Sequence, residues 1–269
     1  MKIDICLTAT DMKEIYINQI PNFIKVWKMF GIEPRIILIN HEIPIKFKEY
    51  SEYIILFDPL KYNLNTLQTA YIAQNIRILY PALLSSSNNN GETINNKSII
   101  ISDIDIMPIS RSFFIDTIKN ISDDCFVNYR RYNKQLNICY NVALSSTWSA
   151  IFKIDCMDDL VMNLMNNYNN NYNSNKNCPG WFSDQEFLTQ KVTEYEKLNP
   201  TKIIFLDKFN IKIKRLDKRD RKEILMNRKD IIKNIGNYTD FHITSKNQRY
   251  IKLSEEINSA IFKYLSLNK

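Results

Sequence analysis

Glycine is scarce in this chain of 269 residues, which contains only Gly31, Gly91, Gly180 and Gly236. Such widely separated glycines cannot form the GxGxxG turn that holds a dinucleotide or the GxxxxGKS/T loop that cradles nucleotide phosphates. The GxSxG turn of α/β-hydrolases is missing as well. Any phosphate chemistry in this protein must therefore use carboxylates, a metal ion and basic side chains.

Histidine is also scarce, and the cysteines do not form close pairs. His41 and His242 are the only histidines, and none of the five cysteines belongs to a CxxC motif. These features exclude zinc fingers and zinc sites with three histidine ligands. Widely spaced cysteines in odd number are typical of free thiols in a reducing compartment. We therefore expect a cytoplasmic protein.

Long apolar runs are absent from the chain. No window approaches the roughly 18 apolar residues of a transmembrane helix, and the N-terminal segment does not resemble a signal peptide. We expect no transmembrane segment. Ile, Asn, Lys and Tyr are abundant, and their codons are AT-rich. This bias suggests an AT-rich genome such as that of a large DNA virus. For a viral protein, the expected compartment is the host cytoplasm. The composition does not tell whether the protein is a monomer or an oligomer.

The formal net charge of +7 comes from one segment, residues 208–233, since the rest of the chain is balanced. One interpretation is a surface for nucleic acid, membrane or a phosphorylated ligand. The other, which we favour, is a solvated helix with charges at i,i+4 such as Asp217 and Arg221. A nucleic-acid surface would interleave aromatic residues with the basic ones, and this segment has only Phe209. We expect no nucleic-acid partner.

Apolar runs alternate with segments of helical periodicity in the first half of the chain, which predicts an α/β fold with a sheet flanked by helices. No linker or repeat divides the chain, so we expect one domain over residues 1–269 that ends in a helix. The predicted strands are 3–7, 36–39, 53–57, 98–101, 126–129, 138–144 and 203–206. The predicted helices are 12–30, 65–84, about 155–168 and 253–267, and residues 181–192 are predicted to form a loop that leads into a helix with Ser183 or Asp184 as its N-cap.

Asp103 and Asp105 directly follow the apolar run Ile99–Ile101. Composition alone gives roughly one such DxD pair by chance, but two carboxylates after a buried strand are costly unless they are solvated or paired. This position is the ligand crevice of open α/β sheets, and hard oxygen ligands suit Mg²⁺ or Mn²⁺. We therefore expect a metal site that also holds a diphosphate.

Two later motifs allow two interpretations each. His242 is either a structural strand residue or a third ligand, because an imidazole can complete a site with two carboxylates. Asp184 and Gln185 stand at a predicted helix start, where Ser183 and Glu186 would form a capping box. Their alternative role is to bind sugar hydroxyl groups.

In order along the chain, these residues resemble the glycosyltransferases of the GT-A fold, and most of all the retaining family-8-type enzymes such as glycogenin and bacterial galactosyltransferases. The resemblance rests on Asp103 and Asp105 after a strand, on the helix that contains Arg77, on Asn141 and on the later Asp184-Gln185 and His242. It extends over nearly the whole chain and implies a Rossmann-like mixed sheet flanked by helices, with a nucleotide-binding half (1–110) and a half for sugar and acceptor (111–269).

The resemblance implies a metal-dependent transfer of sugar from a nucleotide sugar, above all a UDP-sugar, to a hydroxyl group of a glycan or protein acceptor, with retention. Asp103, Asp105 and His242 would bind Mn²⁺ or Mg²⁺, and Asn141, Asp184 and Gln185 would form the catalytic sugar pocket. Asn-rich loops at 85–96 and 166–177 would flank the site, one of them as a lid. The donor-binding residues would be Thr8, Ala9, Thr10, Asp11, Tyr16, Arg77, Ser102, Ile104, Lys246 and Arg249.

The sequence departs from the family in two places. The Asn-Ala-Gly signature is Asn141-Val142-Ala143 here, and the segment after His242 lacks the usual Gly, Pro and Trp. An inverting enzyme would need a carboxylate as general base, a role open to Asp184. Two further alternatives are a sugar-phosphate nucleotidyltransferase, although its glycine-rich loop is missing, and a catalytically silent protein that binds nucleotides or glycans.

Overall fold

The computed structural model describes residues 1–85, 96–132, 135–169, 182–209, 214–242 and 245–268. Most of the two Asn-rich segments predicted to flank the site lies outside these ranges, and so do Cys178 and Trp181. The lid expected from one of these segments stays a prediction.

In the described ranges, twelve strands form three sheets, and the largest sheet has seven strands. The strands are β1 (Ile5–Thr10), β2 (Glu33–Ile39), β3 (Ile54–Phe57), β4 (Ser98–Ile101), β5 (Ile106–Pro108), β6 (Phe126–Asn128), β7 (Arg131–Tyr132), β8 (Gln135–Leu136), β9 (Asn141–Leu144), β10 (Ile203–Phe205), β11 (Arg215–Leu216) and β12 (Asp240–His242). The order in the large sheet is β10-β6-β9-β4-β1-β2-β3. Its apolar central strands are buried because helices cover both faces.

The large sheet changes strand direction beside β4. Strands β1 to β4 run parallel, whereas β9 is antiparallel to both β4 and β6. Because of this reversal, Asn141 at the start of β9 lies opposite Ile101 at the end of β4. The first residues of β9 therefore lie beside the segment that carries the two aspartates.

A small sheet, in the order β11-β12-β5, closes the other side of that segment. Strand β12 pairs in parallel with β11 and antiparallel with β5. The register places His242 opposite Ile106. His242 therefore reaches the neighbourhood of Asp105 from a strand 137 positions later in the chain.

The helices are α1 (Glu14–Ile17), α2 (Ile20–Met29), α3 (Thr69–Leu79), α4 (Ser145–Phe152), α5 (Met157–Asn167), α6 (Ser183–Leu198), α7 (Arg221–Met226), α8 (Arg228–Lys233) and α9 (Gln248–Leu267). Helix α3 packs on β1 and β2, and α9 packs on α2. None of the helices in the described ranges combines the length and apolar composition needed to cross a membrane.

One apolar core runs from the N-terminus to α9. Its aromatic centre joins Trp27 of α2 to Phe114, with ring centroids 5.9 Å apart, and Phe114 to Tyr140 at 4.6 Å. Such edge-on aromatic pairs stabilise a core by about 0.5–1.5 kcal/mol each beyond the burial of their area. The core therefore fixes Tyr140, the residue directly before β9.

The structure confirms the predicted mixed α/β architecture and differs from the predicted elements in three places. Residues 8–10 belong to β1 and are buried, not to a polar loop, because they pair with residues 36–38 of β2. The predicted helix 12–30 is divided into α1 and α2 just before Pro21, which starts the second helix as prolines commonly do. Helix α4 was not predicted, since its first three residues are Ser, Ser and Thr, which favour turns.

The basic segment is not the single solvated helix that we expected. Its described part forms β11 and the short helices α7 and α8. Asp217 pairs with Arg219, not with Arg221, and Arg215 pairs with the buried Asp240. Part of the positive charge is thus neutralised within the fold.

Candidate active site

The candidate site lies at the carboxyl ends of β1 and β4. Ser102, directly after β4, donates its backbone N–H to the carbonyl of Leu7 in β1 (3.0 Å), and Tyr140 donates its N–H to the carbonyl of Ile101 (2.8 Å). These bonds fix the start of the Asp103-Ile104-Asp105 segment between two strands. This is the crevice in which open α/β sheets bind ligands.

Arg77 of α3 joins two carboxylates that are far apart in the chain. Its Nη1 donates to Asp103 Oδ1, and its Nη2 donates to Asp184 Oδ2 at 2.8 Å. The Arg77 and Asp184 side chains are only 10% and 5% exposed. Burial opposes the guanidinium charge, but both carboxylates raise the pKa of Arg77, so it stays a cation. The result is a buried charge bridge at the floor of the crevice.

The two bridged carboxylates differ in their pKa. Burial raises the pKa of Asp103, but the Arg77 guanidinium, the Cys139 thiol and His242 outweigh burial and leave this pKa below its ordinary value. Burial dominates at Asp184 and leaves its pKa above the ordinary value, although Arg77 opposes this effect. Asp103 is thus the carboxylate whose charge the surroundings stabilise.

Residues 139–141 hold Asp103 from the opposite side. The Cys139 thiol donates to Asp103 Oδ2 at 2.7 Å. Tyr140 has a φ of +67°, a left-handed backbone conformation that costs a tyrosine about 1–2 kcal/mol. The Tyr140 hydroxyl donates to the buried Asp240 at 2.9 Å, and Arg215 also binds Asp240. The strained turn is therefore held by hydrogen bonds and by the aromatic core.

Asn141 is fully buried, and its hydrogen bonds are internal. Its Nδ2 donates to the carbonyls of Asn137 and Ile138, both at 2.9 Å, and its Oδ1 accepts from Asn128 Nδ2 at 2.7 Å. These contacts shape the turn that carries Cys139. In this structure Asn141 positions the turn.

A second charged group lies along β12. His242 Nε2 is 3.1 Å from Asp105 Oδ2, and its Nδ1 is 4.0 Å from Asp217 Oδ2. Burial lowers the pKa of His242, but the hydrogen bond to Asp105 and the nearby carboxylate of Asp217 raise it to about 9. The pKa of Asp217 falls, first because of His242 and then because of Arg219. The imidazole is therefore a cation between two carboxylates at neutral pH.

The predicted metal ligands are only partly gathered. Asp105 and His242 are in contact, and a carboxylate with an imidazole is a donor pair that suits Mn²⁺. Asp103 directs its two oxygens to Arg77 and Cys139. Within the described part of the chain, no three His, Cys, Asp or Glu side chains converge as ligands. Two carboxylates and an imidazole are donor groups that suit a divalent ion, and the metal stays a prediction.

The predicted donor-binding residues of the first half surround the same carboxylates. Thr8, Ala9 and Thr10 are buried in β1, and Asp11 accepts a hydrogen bond from Thr69 of α3 at 3.1 Å. Tyr16 of α1 is partly buried. Burial raises its pKa, and so do the negative charges of Asp105, Asp103 and Asp11. Ser102 and Ile104 are buried in the segment itself.

The predicted residues of the second half are less closely grouped. Asp184 and Gln185 lie in the first turn of α6, preceded by Phe182, and no side chain caps the helix, so the expected capping box is not formed. Gln185 is half-buried, whereas Lys246 and Arg249 are exposed before and at the start of α9. Lys246 lines a groove between α1 and α9.

Sequence reasoning missed three residues of the site: Cys139, Asp217 and Asp240. Asp217 and Asp240 lie in or after the basic segment, where their sequence context resembles a solvated surface. Cys139 stands two positions before Asn141, and this proximity was the only feature of the sequence that could have indicated a place for Cys139 in the site. Their roles depend on contacts with Asp103, His242 and Tyr140 across the fold.

No protein-family model and no curated protein sequence matches this chain. The structure is similar to the glycosyltransferase GlyE of Streptococcus pneumoniae TIGR4, with 13% sequence identity and a TM-score of 0.50 over 98% of this chain and 63% of GlyE. The galactosyltransferase LgtC, solved with donor and acceptor sugar analogs, has 10% identity and a TM-score of 0.47 over 96% of each chain. The chain thus spans less than two thirds of GlyE, and the similarity to GlyE confirms the predicted GT-A fold.

Proposed function

We propose that this chain is a glycosyltransferase that moves a sugar from a nucleotide sugar to a hydroxyl group of a glycan or protein acceptor. The observation that carries the proposal is the buried bridge in which Arg77 binds both Asp103 and Asp184 at the carboxyl ends of β1 and β4. Buried charges of this kind are costly and cluster at functional sites. Here they occupy the ligand crevice of a fold shared with a glycosyltransferase.

The bridge can bind both parts of a donor. Arg77 offers guanidinium N–H groups in a fixed plane, the geometry that binds phosphate and carboxylate oxygens with two parallel hydrogen bonds. Asp184 would accept hydrogen bonds from sugar hydroxyl groups, with Gln185 beside it. Tyr16 and Asp11 would hold the nucleoside, for which uridine is our first choice.

Asp103, Asp105 and His242 would hold Mn²⁺ or Mg²⁺ in this proposal. Asp105 and His242 are already in contact, and His242 would lose its proton on binding a cation. Asp103 would exchange its contact with Arg77 for the ion. When bound, a divalent ion would offset the negative charge of the departing nucleoside diphosphate.

The pairing of Asp184 supports a retaining enzyme over an inverting one. A general base must be free to take a proton from the acceptor hydroxyl, whereas Asp184 accepts hydrogen bonds from Arg77 and from the Gln185 backbone N–H, both at 2.8 Å. The free thiols of Cys6, Cys125, Cys139 and Cys156 support our placement of the enzyme in a reducing cytoplasm.

The test is turnover of UDP-, GDP- and dTDP-sugars in the presence of Mn²⁺, followed as release of the nucleoside diphosphate. We expect turnover of one donor class and a loss of about 100-fold or more in Asp103→Ala. Full activity of Asp103→Ala would overturn the mechanism.

A second candidate function is nucleotide or glycan binding without turnover. It is favoured by one observation, the engagement of both Asp103 oxygens by Arg77 and Cys139. Under this alternative, UDP with Mn²⁺ raises the Tm, but none of the donors is turned over.

A further inference from the structure

A groove of about 640 Å³ lies between the α1–α2 region and α9, a volume within the range of small-molecule sites. Its polar lining includes four side-chain amides: Asn18, Gln19, Asn22 and Asn258. An amide group presents both donors and an acceptor, so it can bind neighbouring hydroxyl groups in either direction. This lining is therefore chemically matched to a ligand rich in hydroxyl groups.

Asn258 of α9 gives a second, independent indication. The residue is 7% exposed, and its Oδ1 has no hydrogen-bond partner among the described residues. A buried polar atom without a partner is destabilising, and such atoms are uncommon in native proteins. Asn258 also lines the groove, and a ligand hydroxyl that reached its Oδ1 would donate the missing hydrogen bond.

The charges and the apolar lining of the groove define the ligand further. Lys13 and Lys246 are balanced by Glu14 and Glu255, so the lining has no excess charge to attract an anion. No aromatic ring from the described residues lines the groove, so it offers no stacking platform for a nucleobase. Ile15 provides an apolar contact of the kind that the carbon face of a sugar ring needs. A neutral, hydroxylated ligand fits these features.

The groove adjoins the candidate site. Ser245 lines it and also lines a small crevice beside His242. Of the residues predicted to bind the donor, only Lys246 lines the groove. We propose that the groove binds a neutral oligosaccharide and acts as a subsite for the acceptor, an inference whose acceptor role rests on the glycosyltransferase function proposed above.

The experiment measures binding of maltotriose, lactose and chitotriose to the full chain by saturation-transfer NMR, without any donor. We expect at least one of the three to bind the wild type, and Asn258→Leu and Asn22→Ala each to weaken that binding by about tenfold. Asn258→Leu should leave the Tm unchanged or raise it, because the substitution removes a buried acceptor that lacks a partner.

The matched control is Asn163→Leu, the same change at an asparagine of α5 outside the groove, which should bind the oligosaccharide as the wild type does. Absence of binding for all three oligosaccharides, or equal binding by wild type, Asn258→Leu and Asn22→Ala, overturns the inference. The assay contains no donor and needs no turnover, so it separates the two proposals. A chain that turns over no donor but binds an oligosaccharide through Asn258 contradicts the proposed enzyme activity and supports the oligosaccharide site. A chain that turns over a donor but binds none of the oligosaccharides supports the enzyme activity and contradicts the oligosaccharide site.

Discussion

Replacement of Arg77 by methionine tests whether the buried charge bridge is the organising contact of the site. The change keeps much of the side-chain volume but leaves Asp184, 5% exposed, and Asp103, 22% exposed, without their counter-charge. Removal of one partner of a buried ion pair costs about 3–5 kcal/mol. At roughly 2–4 °C per kcal/mol for a chain near this size, the Tm should fall by about 6–20 °C.

The assay is urea and thermal unfolding of four proteins: wild type, Arg77→Met, Asp184→Asn and the double variant. The double variant should be less destabilised than the sum of the single changes, with a coupling of about 1–3 kcal/mol, because a neutral amide at position 184 needs no cation. Arg228→Met is the matched control, since the pair of Arg228 with Glu256 is about half-exposed at 3.8 Å and such pairs are worth about 0–1 kcal/mol. A loss below about 1 kcal/mol in Arg77→Met, or additive effects in the cycle, would refute the reasoning.

Three other predictions follow from named contacts. Cys139→Ala should lower donor turnover by about tenfold, whereas Cys139→Ser, which keeps a donor to Asp103, should retain most of it; equal losses would show that the thiol does not position Asp103. His242→Ala should abolish the increase in Tm that Mn²⁺ adds to UDP binding in a thermal-shift assay, while His41→Ala, at an exposed histidine, should keep the increase; a shift unchanged in His242→Ala excludes the imidazole as a ligand. Gly31→Ala should lower the free energy of unfolding by about 1–2 kcal/mol in urea titrations, because φ at Gly31 is +74°; an unchanged midpoint would contradict this cause.

Local sequence patterns were sufficient to predict the sheet and the position of the aspartates. The run Ile99–Ile101 is buried on both faces of the sheet. Because successive side chains of a strand point to opposite faces, every residue of such a strand is apolar. Asp103 follows it at a strand end, where only a polar or functional site tolerates carboxylates. The alternation of strands and helices was predictable for the same reason, since the two differ in the period of their apolar residues, whereas the GT-A fold was expected from the family resemblance.

The contacts that define the site could not be predicted from these patterns. Arg77 and Asp184 are 107 positions apart, and Asp105 and His242 are 137 apart. Such pairs form only when β4, α3, α6 and β12 meet at one end of the sheet. A sequence pattern can indicate that each residue is polar in an apolar context, but the fold decides which of them become partners.

Asn141 illustrates the difference between residue type and role. The resemblance implies a place for Asn141 in the sugar pocket, which stays a prediction, and the structure adds that its amide holds the turn of Cys139 and Tyr140. The positive φ of Tyr140 could not be predicted from the sequence, because tyrosine rarely adopts that backbone conformation.

Turnover of a nucleotide-sugar panel with Mn²⁺ by the wild type and by Asp103→Ala tests the central claim most directly. The account predicts release of one nucleoside diphosphate by the wild type and a loss of about 100-fold or more in the variant, with its folding confirmed by circular dichroism. Equal rates in the two proteins, or no turnover of any donor by the wild type, would contradict it.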